Sequence, residues 1–488
     1  MELPKKIYRK MTDPDSAARL IKSGMTVATS GFSKLGYPKV VPRALARLGG
    51  EGPTDLTLIT SGAVGEAMEE WIECGGVSRL LPYQSSKILR RLANEGLLAY
   101  SDHHLGHVAD WVEHAHWATP DIALIEVGGI GPEGGLIPGL TLGNIPIYAD
   151  RARQIILEVN HSGDKLDGIH DVFRVTSSAS PKCIPIFGVN DRIGTPHVRI
   201  DLDKVIAVVT SHEVDEGYQF IQPTREITAI AYHVSEFVRS MRDHGEIPPT
   251  YPVQVGVGNL GNAVLQQLWR NLSPLRVYSE VVHDTVLDGL DEGGIQAVST
   301  GALALSAAGQ KELDLRIQRY RKSLVIRPQN ITNHPEVIRR LGVVGINSVV
   351  EVDIYGHANS SAVAGSHVLN GIGGSGDFTR NALLSIVALP STRDQGRISS
   401  IVPMVSHVDH TEHDIHVIVT EHGVADLRGK SPRERAHLLI ENCADERFRG
   451  VLRSYFKRAC QRGGQWPHLL SEALSWHIRY EQTGDMLS

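Results

Sequence analysis

Residues 252–280 read PVQVGVGNLGNAVLQQLWRNLSPLRVYSE, and the fold class turns on this run. Val253, Val255 and Val257 alternate as in a short buried strand, while Ala263, Val264, Leu265, Leu268 and Trp269 recur at helical spacing. Between them Gly256, Gly258 and Gly261 spell G-x-G-x-x-G, which lets backbone come close to a phosphate or a thioester where a helix begins. Leu275 to Tyr278 reads as the next parallel strand. Glu280 is expected just past its carboxyl end, where α/β sheets collect their ligands. Three readings stay open on this stretch. The glycines cradle a dinucleotide pyrophosphate with Glu280 on a ribose hydroxyl; or they hold an acyl thioester that Glu280 attacks; or the unit is a tight structural turn beside a solvated glutamate.

The flanking sequence repeats the same grammar. Upstream, Asp13 to Ile21 suits an N-capped helix and Met25 to Thr29 a strand feeding SGFSKLGYPKVVPRALARLGG, another glycine turn and helix. Further strands are expected at Leu56 to Thr60, Ile122 to Val127, Ile155 to Val159, Ile184 to Val189 and Lys204 to Val209. Glu126 ends one of them beside Gly128-Gly129 and, with no visible partner, reads as structural. Ser211 to Thr224 is polar and aperiodic and is taken as the linker. The Glu226 to Met241 helix leads into the glycine unit. Such alternation predicts an open α/β architecture in two similar domains, 1–215 and 216–488.

Downstream, Leu324 to Arg327 suits a strand, Asn333 precedes a helix opened by Pro335, and Val343 to Tyr355 suits a strand pair around Asn347. Then comes a second dense glycine segment, VLNGIGGSGDF, residues 368–378. Four glycines within six positions build no regular element, so the segment is expected to present backbone N–H groups to a ligand. A dehydrogenase needs one phosphate fingerprint and a hydride-handling site, for which no His or Lys arrangement stands out. Acyl transfer needs a nucleophile and oxyanion donors, and one N–H from each glycine segment would supply the donors.

Composition sets bounds. A chain of 488 residues exceeds one ordinary core, and 41% hydrophobic with 21% charged residues describes a globular protein. A net charge of −6 gives no general attraction to nucleic acid or anionic lipid. Cys74, Cys183, Cys443 and Cys460 are scattered without C-x-x-C spacing, which fits a reducing cytoplasm. MELPKKIYRK leads into no apolar signal region, and no run reaches the length of a spanning helix.

GVGNLGNAV, VYSEVVHD, NGIGGSGDF and VTEHGVADLRGKSPRERA together resemble the acetyl-CoA hydrolase/transferase family of class I CoA-transferases, its succinyl-CoA:acetate branch above all. The resemblance runs from SGFSKLGYPKVVP to LSEALSWHIRYEQTGDML. It implies Glu280 as nucleophile and the N–H groups of Val257 and Gly374 as oxyanion donors. It also implies Asn333 and Glu421 as substrate neighbours, and Gly256, Val257, Gly258, Asn259, Leu260, Asn370, Gly371 and Gly374 as contacts to coenzyme A. The active site would lie between the halves, no metal would be needed, and the protein would be a cytoplasmic homodimer acting on acyl-CoA and short carboxylic acids, with no nucleic acid or membrane partner. Two departures are visible. Asp394 stands where relatives commonly carry a lysine near the CoA phosphates, flanked by Arg393 and Arg397, and SHEVDEG lacks an arginine that relatives place there. Acetyl-CoA hydrolysis, dehydrogenation on Gly256–Gly261 and non-catalytic CoA binding are the competing expectations.

Two histidine groups invite other readings. His407, His410, His413 and His416 recur every third residue, but Pro403 and Val417-Ile418-Val419 place them in a turn between strands, which favours satisfied side chains over a metal site. His103, His104, His107, His114 and His116 lie beside Trp111 and Trp117 and read as polar surface or as neighbours of an acid substrate. The basic run Arg316 to Lys322 reads first as a solvated helix face and second as a phosphate contact.

Overall fold

The computed structural model describes residues 4–131, 133–162, 166–175 and 183–488. It divides into two compact units, the first comprising residues 1–219, 277–291 and 296–341, the second 220–276, 292–295 and 342–488. Among the described residues no helix is long and apolar enough to cross a membrane.

The first unit is built on a seven-stranded sheet. In space its strands run Ala99–Tyr100, Val77–Leu81, Leu56–Ile59, Thr26–Thr29, Ile122–Val127, Gln154–Asn160 and Val205–Ser211, all parallel. Ile122–Val127 is buried along its whole length, as a parallel strand covered on both faces must be, which explains why it is apolar but for Glu126. Val27, Leu58, Leu80 and Leu124 pack with Trp71, Met68 and Leu45 into one core. The same unit holds the Ile295–Leu303 strand from Gln296 on, between Leu324–Ile326 and the Leu275–Val282 strand, which enters the unit at Val277.

In the second unit Pro252–Val255, Val344–Asn347, Leu384–Ala388 and Val417–Thr420 pair in parallel, and Gly423–Asp426 closes the edge antiparallel. A separate core gathers Val352, Ile354, Tyr355, Phe448, Leu452 and Trp476.

Four expectations need correction. Glu280 lies inside its strand, which extends through Val282. Residues 184–189 form no strand: Pro185 lacks an N–H to pair, and the carbonyls of Ile184 and Ile186 accept from the Arg340 guanidinium at 2.5 and 3.2 Å. The two strands around Asn347 belong to different sheets, Val344–Asn347 pairing with Pro252–Val255 and Glu351–Asp353 with Ala358–Asn359. Ser211 to Thr224 has no helix or strand beyond Ser211, yet it is far from slack. The Asp215 carboxylate takes the Gly36 N–H at 3.0 Å and Lys39 at 2.9 Å, Glu216 takes the Tyr37 hydroxyl at 2.8 Å, and Glu213 pairs with Arg43.

Lys39 is the hinge of that arrangement. Its ammonium is almost wholly buried and contacts Glu126 at 2.6 Å, so the strand-end carboxylate does have a partner, 87 residues away in sequence. Burial works against the charge, but Glu126 and Asp215 together hold the Lys39 pKa above its ordinary value.

Candidate active site

Glu280 sits near the end of an eight-residue strand, and its carboxylate Oε1 accepts a hydrogen bond of 2.6 Å from Asn333 Nδ2. Asn333 owes its position to local sequence. The short Gln329–Thr332 helix ends on it and Pro335 opens the next helix, so the residue is fixed in the joint. Thr332 Oγ1 donates to Asn333 Oδ1 at 2.9 Å, which orients the amide so that its nitrogen faces Glu280. The helix is anchored in turn: Gln329 Nε2 donates to the Ser61 carbonyl at 2.9 Å and Gln329 Oε1 accepts from Asn144 at 2.7 Å. On the strand side, Thr300 Oγ1 donates to the Glu280 carbonyl at 3.1 Å. Tyr83 is close as well. Burial pushes its hydroxyl above the usual range, and the charge of Glu280 adds to the effect.

The glycine residues belong to the second unit. Gly256 donates to the Ile346 carbonyl at 2.8 Å, and Gly258, with φ of +107°, turns the chain into the Asn259–Leu272 helix. A methyl group at Gly261 would lie 1.9 Å from the Gly256 carbonyl oxygen, so the third glycine is needed for the helix to close onto the strand. Val257, at the crest of the turn, is 47% exposed. In the second segment Gly374 caps the Ser375–Asn381 helix, whose start is steadied by Ser375 Oγ bonding the Ile372 carbonyl at 2.7 Å. Asn347 ties together the elements that flank the two segments. Asn347 Oδ1 accepts from Gln254 at 3.0 Å and its Nδ2 donates to Thr379 at 3.3 Å, tying the strand before the first turn to the helix after the second.

Glu421 is held within the second unit by Ser391, whose Oγ and N–H reach its carboxylate at 2.5 and 2.9 Å. Asn370 follows the Leu369 N–H onto the Ser361 carbonyl, with bonds of 3.3 and 2.7 Å, and Gly371 comes next. Of the basic groups near Asp394, Arg397 pairs with Asp394 itself at 2.6 Å, and Arg393 donates to the Val349 carbonyl at 2.7 Å. Both are engaged by their own chain.

The histidine sets resolve into ordinary contacts. His416 Nδ1 accepts the Ser385 N–H at 3.1 Å, and His410, buried and therefore below its ordinary pKa, meets Ser375 Oγ at 3.2 Å. Among the described residues no group of three or more His, Cys, Asp and Glu side chains could hold a metal ion. His103 packs on Trp111 and Trp117 with ring centroids 4.5 and 5.0 Å apart. In the basic run, Arg316 and Arg319 close on Asp291 at 2.8 and 3.1 Å. Sequence reasoning missed Tyr83, Gln329 and Ser61, whose relation to Glu280 is purely tertiary, and it missed Ser391 as the group that fixes Glu421.

Residues 1–210 match the acetyl-CoA hydrolase/transferase N-terminal domain and residues 309–456 its C-terminal domain. The chain belongs to the acetyl-CoA hydrolase/transferase family. As a member of that family it is an enzyme. It is 41% identical to a succinyl-CoA:acetate CoA-transferase of Clostridium kluyveri, over 99% of this chain and 91% of the relative. It is 40% identical to a propanoyl-CoA:succinate CoA transferase of Escherichia coli, over 98% and 99%. An acetyl-CoA hydrolase of Neurospora crassa is 36% identical over 98% and 96%. Among solved structures, RipA from Yersinia pestis superposes with a TM-score of 0.72 at 22% identity, covering 95% of this chain and 100% of that one, which supports the shared fold.

Proposed function

We propose that this member of the family is a CoA-transferase that moves CoA between a short-chain acyl-CoA, such as succinyl-, acetyl- or propionyl-CoA, and a carboxylate such as acetate or succinate. Glu280 is the nucleophile in this reading. One carboxylate oxygen attacks the thioester carbonyl, the C–S bond breaks, and an acyl-glutamyl anhydride forms with free CoA thiolate. The thiolate then attacks the glutamyl carbonyl, expels the first acid as its carboxylate, and leaves a glutamyl-CoA thioester. An incoming carboxylate reverses both steps and frees Glu280. A carboxylate suits the task because its anhydride stays reactive toward a thiolate, where an ester or amide would be a dead end.

The observation that carries the reading is the 2.6 Å bond from Asn333 Nδ2 to Glu280 Oε1, which orients the carboxylate near the end of its strand. The N–H groups of Val257 and Gly374 are the proposed oxyanion donors, each worth roughly 10² to 10³ in rate by analogy with other acyl transfers. Gly256 to Leu260, Asn370 and Gly371 would contact coenzyme A, and Asn333 and Glu421 the acid. Cytoplasmic location and a homodimer belong to the same reading. Family membership sets aside the dinucleotide interpretation of Gly256–Gly261. Hydrolysis remains the second reading, because a relative 36% identical over nearly the whole chain is named a hydrolase.

Incubation with acyl-CoA followed by borohydride or hydroxylamine should modify Glu280, and Glu280→Ala should abolish CoA exchange. Near-normal exchange by that variant would defeat the proposal. Release of free acid and CoA without a carboxylate acceptor, at the rate of exchange, would favour hydrolysis.

A further inference from the structure

Gln84 occupies the turn between the Val77–Leu81 strand and the helix capped by Ser86. Its side chain is fully buried, and neither Oε1 nor Nε2 has a hydrogen-bond partner among the described residues. No other buried side chain there has both of its polar atoms unpaired. A primary amide buried in that way bears its whole desolvation penalty uncompensated, so a group arriving from outside the fold is the natural complement.

The turn also lies where such a group would be useful. The carboxyl ends of three neighbouring strands are laced together: Thr60 donates to the Leu81 carbonyl at 2.9 Å, and His103 to the Pro82 carbonyl at 3.1 Å. Ser61, next to Thr60, accepts from Gln329, and the helix that begins at Gln329 ends on Asn333, the donor to Glu280. Tyr83, adjacent to Gln84, feels the charge of Glu280 directly. Short stretches of chain and these hydrogen bonds together link the strand end that carries Gln84 to the proposed nucleophile, all within the first unit.

We infer that the Gln84 amide is a specificity-determining contact, its Nε2 donating to an oxygen of the short acid being exchanged. The inference rests on the transferase reading above. A neutral donor fits this reaction better than a cation. The acid is an anion when free and a neutral acyl group in the thioester and the anhydride, and an amide can bond its oxygen in each state without leaving a buried charge unpaired.

The test compares wild type, Gln84→Leu and Gln84→Asn in steady-state exchange with a series of straight-chain carboxylate acceptors, alongside CoA binding by calorimetry and thermal unfolding. Gln84→Leu should raise KM for the acceptor roughly tenfold to a hundredfold, leave CoA affinity unchanged, and leave the unfolding temperature unchanged or higher. Gln84→Asn, one methylene shorter, should shift the preference toward acids one carbon longer, and it decides the matter if the leucine variant fails to fold. Unchanged acceptor KM in both variants would overturn the inference, as would a parallel loss of acid binding, CoA binding and stability. Trapping of the Glu280 adduct in wild type separates the two readings: adduct present with acceptor KM unmoved refutes Gln84 alone, while adduct absent refutes the transferase and this inference with it.

Discussion

Gly261→Ala offers a sharp test, because two principles predict opposite outcomes. In a helix interior alanine is favoured over glycine by about 1 kcal/mol, so on propensity alone the variant should be more stable. The structure says otherwise. The new methyl would stand 1.9 Å from the Gly256 carbonyl oxygen, and real Cβ contacts essentially never fall below 3.0 Å, so backbone must open by 3.0 minus 1.9, or 1.1 Å. The atom in the way is main chain, in a residue whose N–H is committed to Ile346 at 2.8 Å, and it cannot rotate aside as a side chain would. Overpacking of this kind costs about 1–3 kcal/mol, which cancels the helical gain or exceeds it. Displacing the turn that carries Val257 by about 1 Å should lower kcat for CoA exchange by roughly 10². Gly450→Ala is the control. Gly450 lies in the Glu446–Gln461 helix with nothing within 4 Å of a built methyl, and that variant should gain about 1 kcal/mol at full activity. Thermal unfolding and initial rates on the pair read both quantities. A Gly261→Ala protein that melts higher and exchanges CoA at the wild-type rate would refute the reasoning.

Two further outcomes follow from the first unit. Asn333→Asp replaces the 2.6 Å donor to Glu280 with a second carboxylate, and the like charge should hold one of the two protonated. The acid limb of the pH–rate profile should then move up by about a pH unit or more, with activity partly regained in alkali; a uniform loss at every pH would argue against the contact. His170 is buried against the Gly139 carbonyl at 2.9 Å, and burial holds its pKa at about 4 instead of 6.5. The depressed folded pKa means that the unfolded chain takes up the proton first. Stability is full above pH 6.5 and falls as the pH drops toward 4, by up to about 3 kcal/mol through this group. His170→Gln should flatten the difference between urea midpoints at pH 7 and pH 4, and identical slopes in the two proteins would count against it.

The α/β class was legible because the period-2 and period-3.6 patterns alternate so regularly, and Ile122–Val127 ends where its apolar run ends. The position of Glu280 near the end of a strand could be read from the 252–280 pattern, but its pairing with Asn333 could not, since 53 residues separate the two. What the chain could not reveal is how distant polar groups pair. Residues 211–224 looked like a linker because they are polar and aperiodic, yet their acids are held by Gly36, Tyr37, Lys39 and Arg43, some 170 to 180 positions away. Ile184 to Val189 has the composition of a strand, but Arg340 claims the carbonyls that a ladder would have used. Periodicity reports which face is apolar; it is silent on which buried donor meets which acceptor.

Glu126 and Glu280 show why the distinction matters for chemistry. Both are strand-borne acids in the first unit, and from sequence either could have been a nucleophile. Glu126 lies against the Lys39 ammonium at 2.6 Å; burial pushes its carboxyl well above the ordinary carboxylate range, Lys39 opposes that shift, and the contact fixes the side chain where it stands. Glu280 accepts from the Asn333 amide, a neutral donor that serves a carboxylate and an acyl carbonyl alike. A carboxylate that must pass from anion to anhydride to thioester and back in every turnover is better held by such a partner than by a counter-charge. On that ground, the buried pairing with Lys39 argues against Glu126 as the nucleophile.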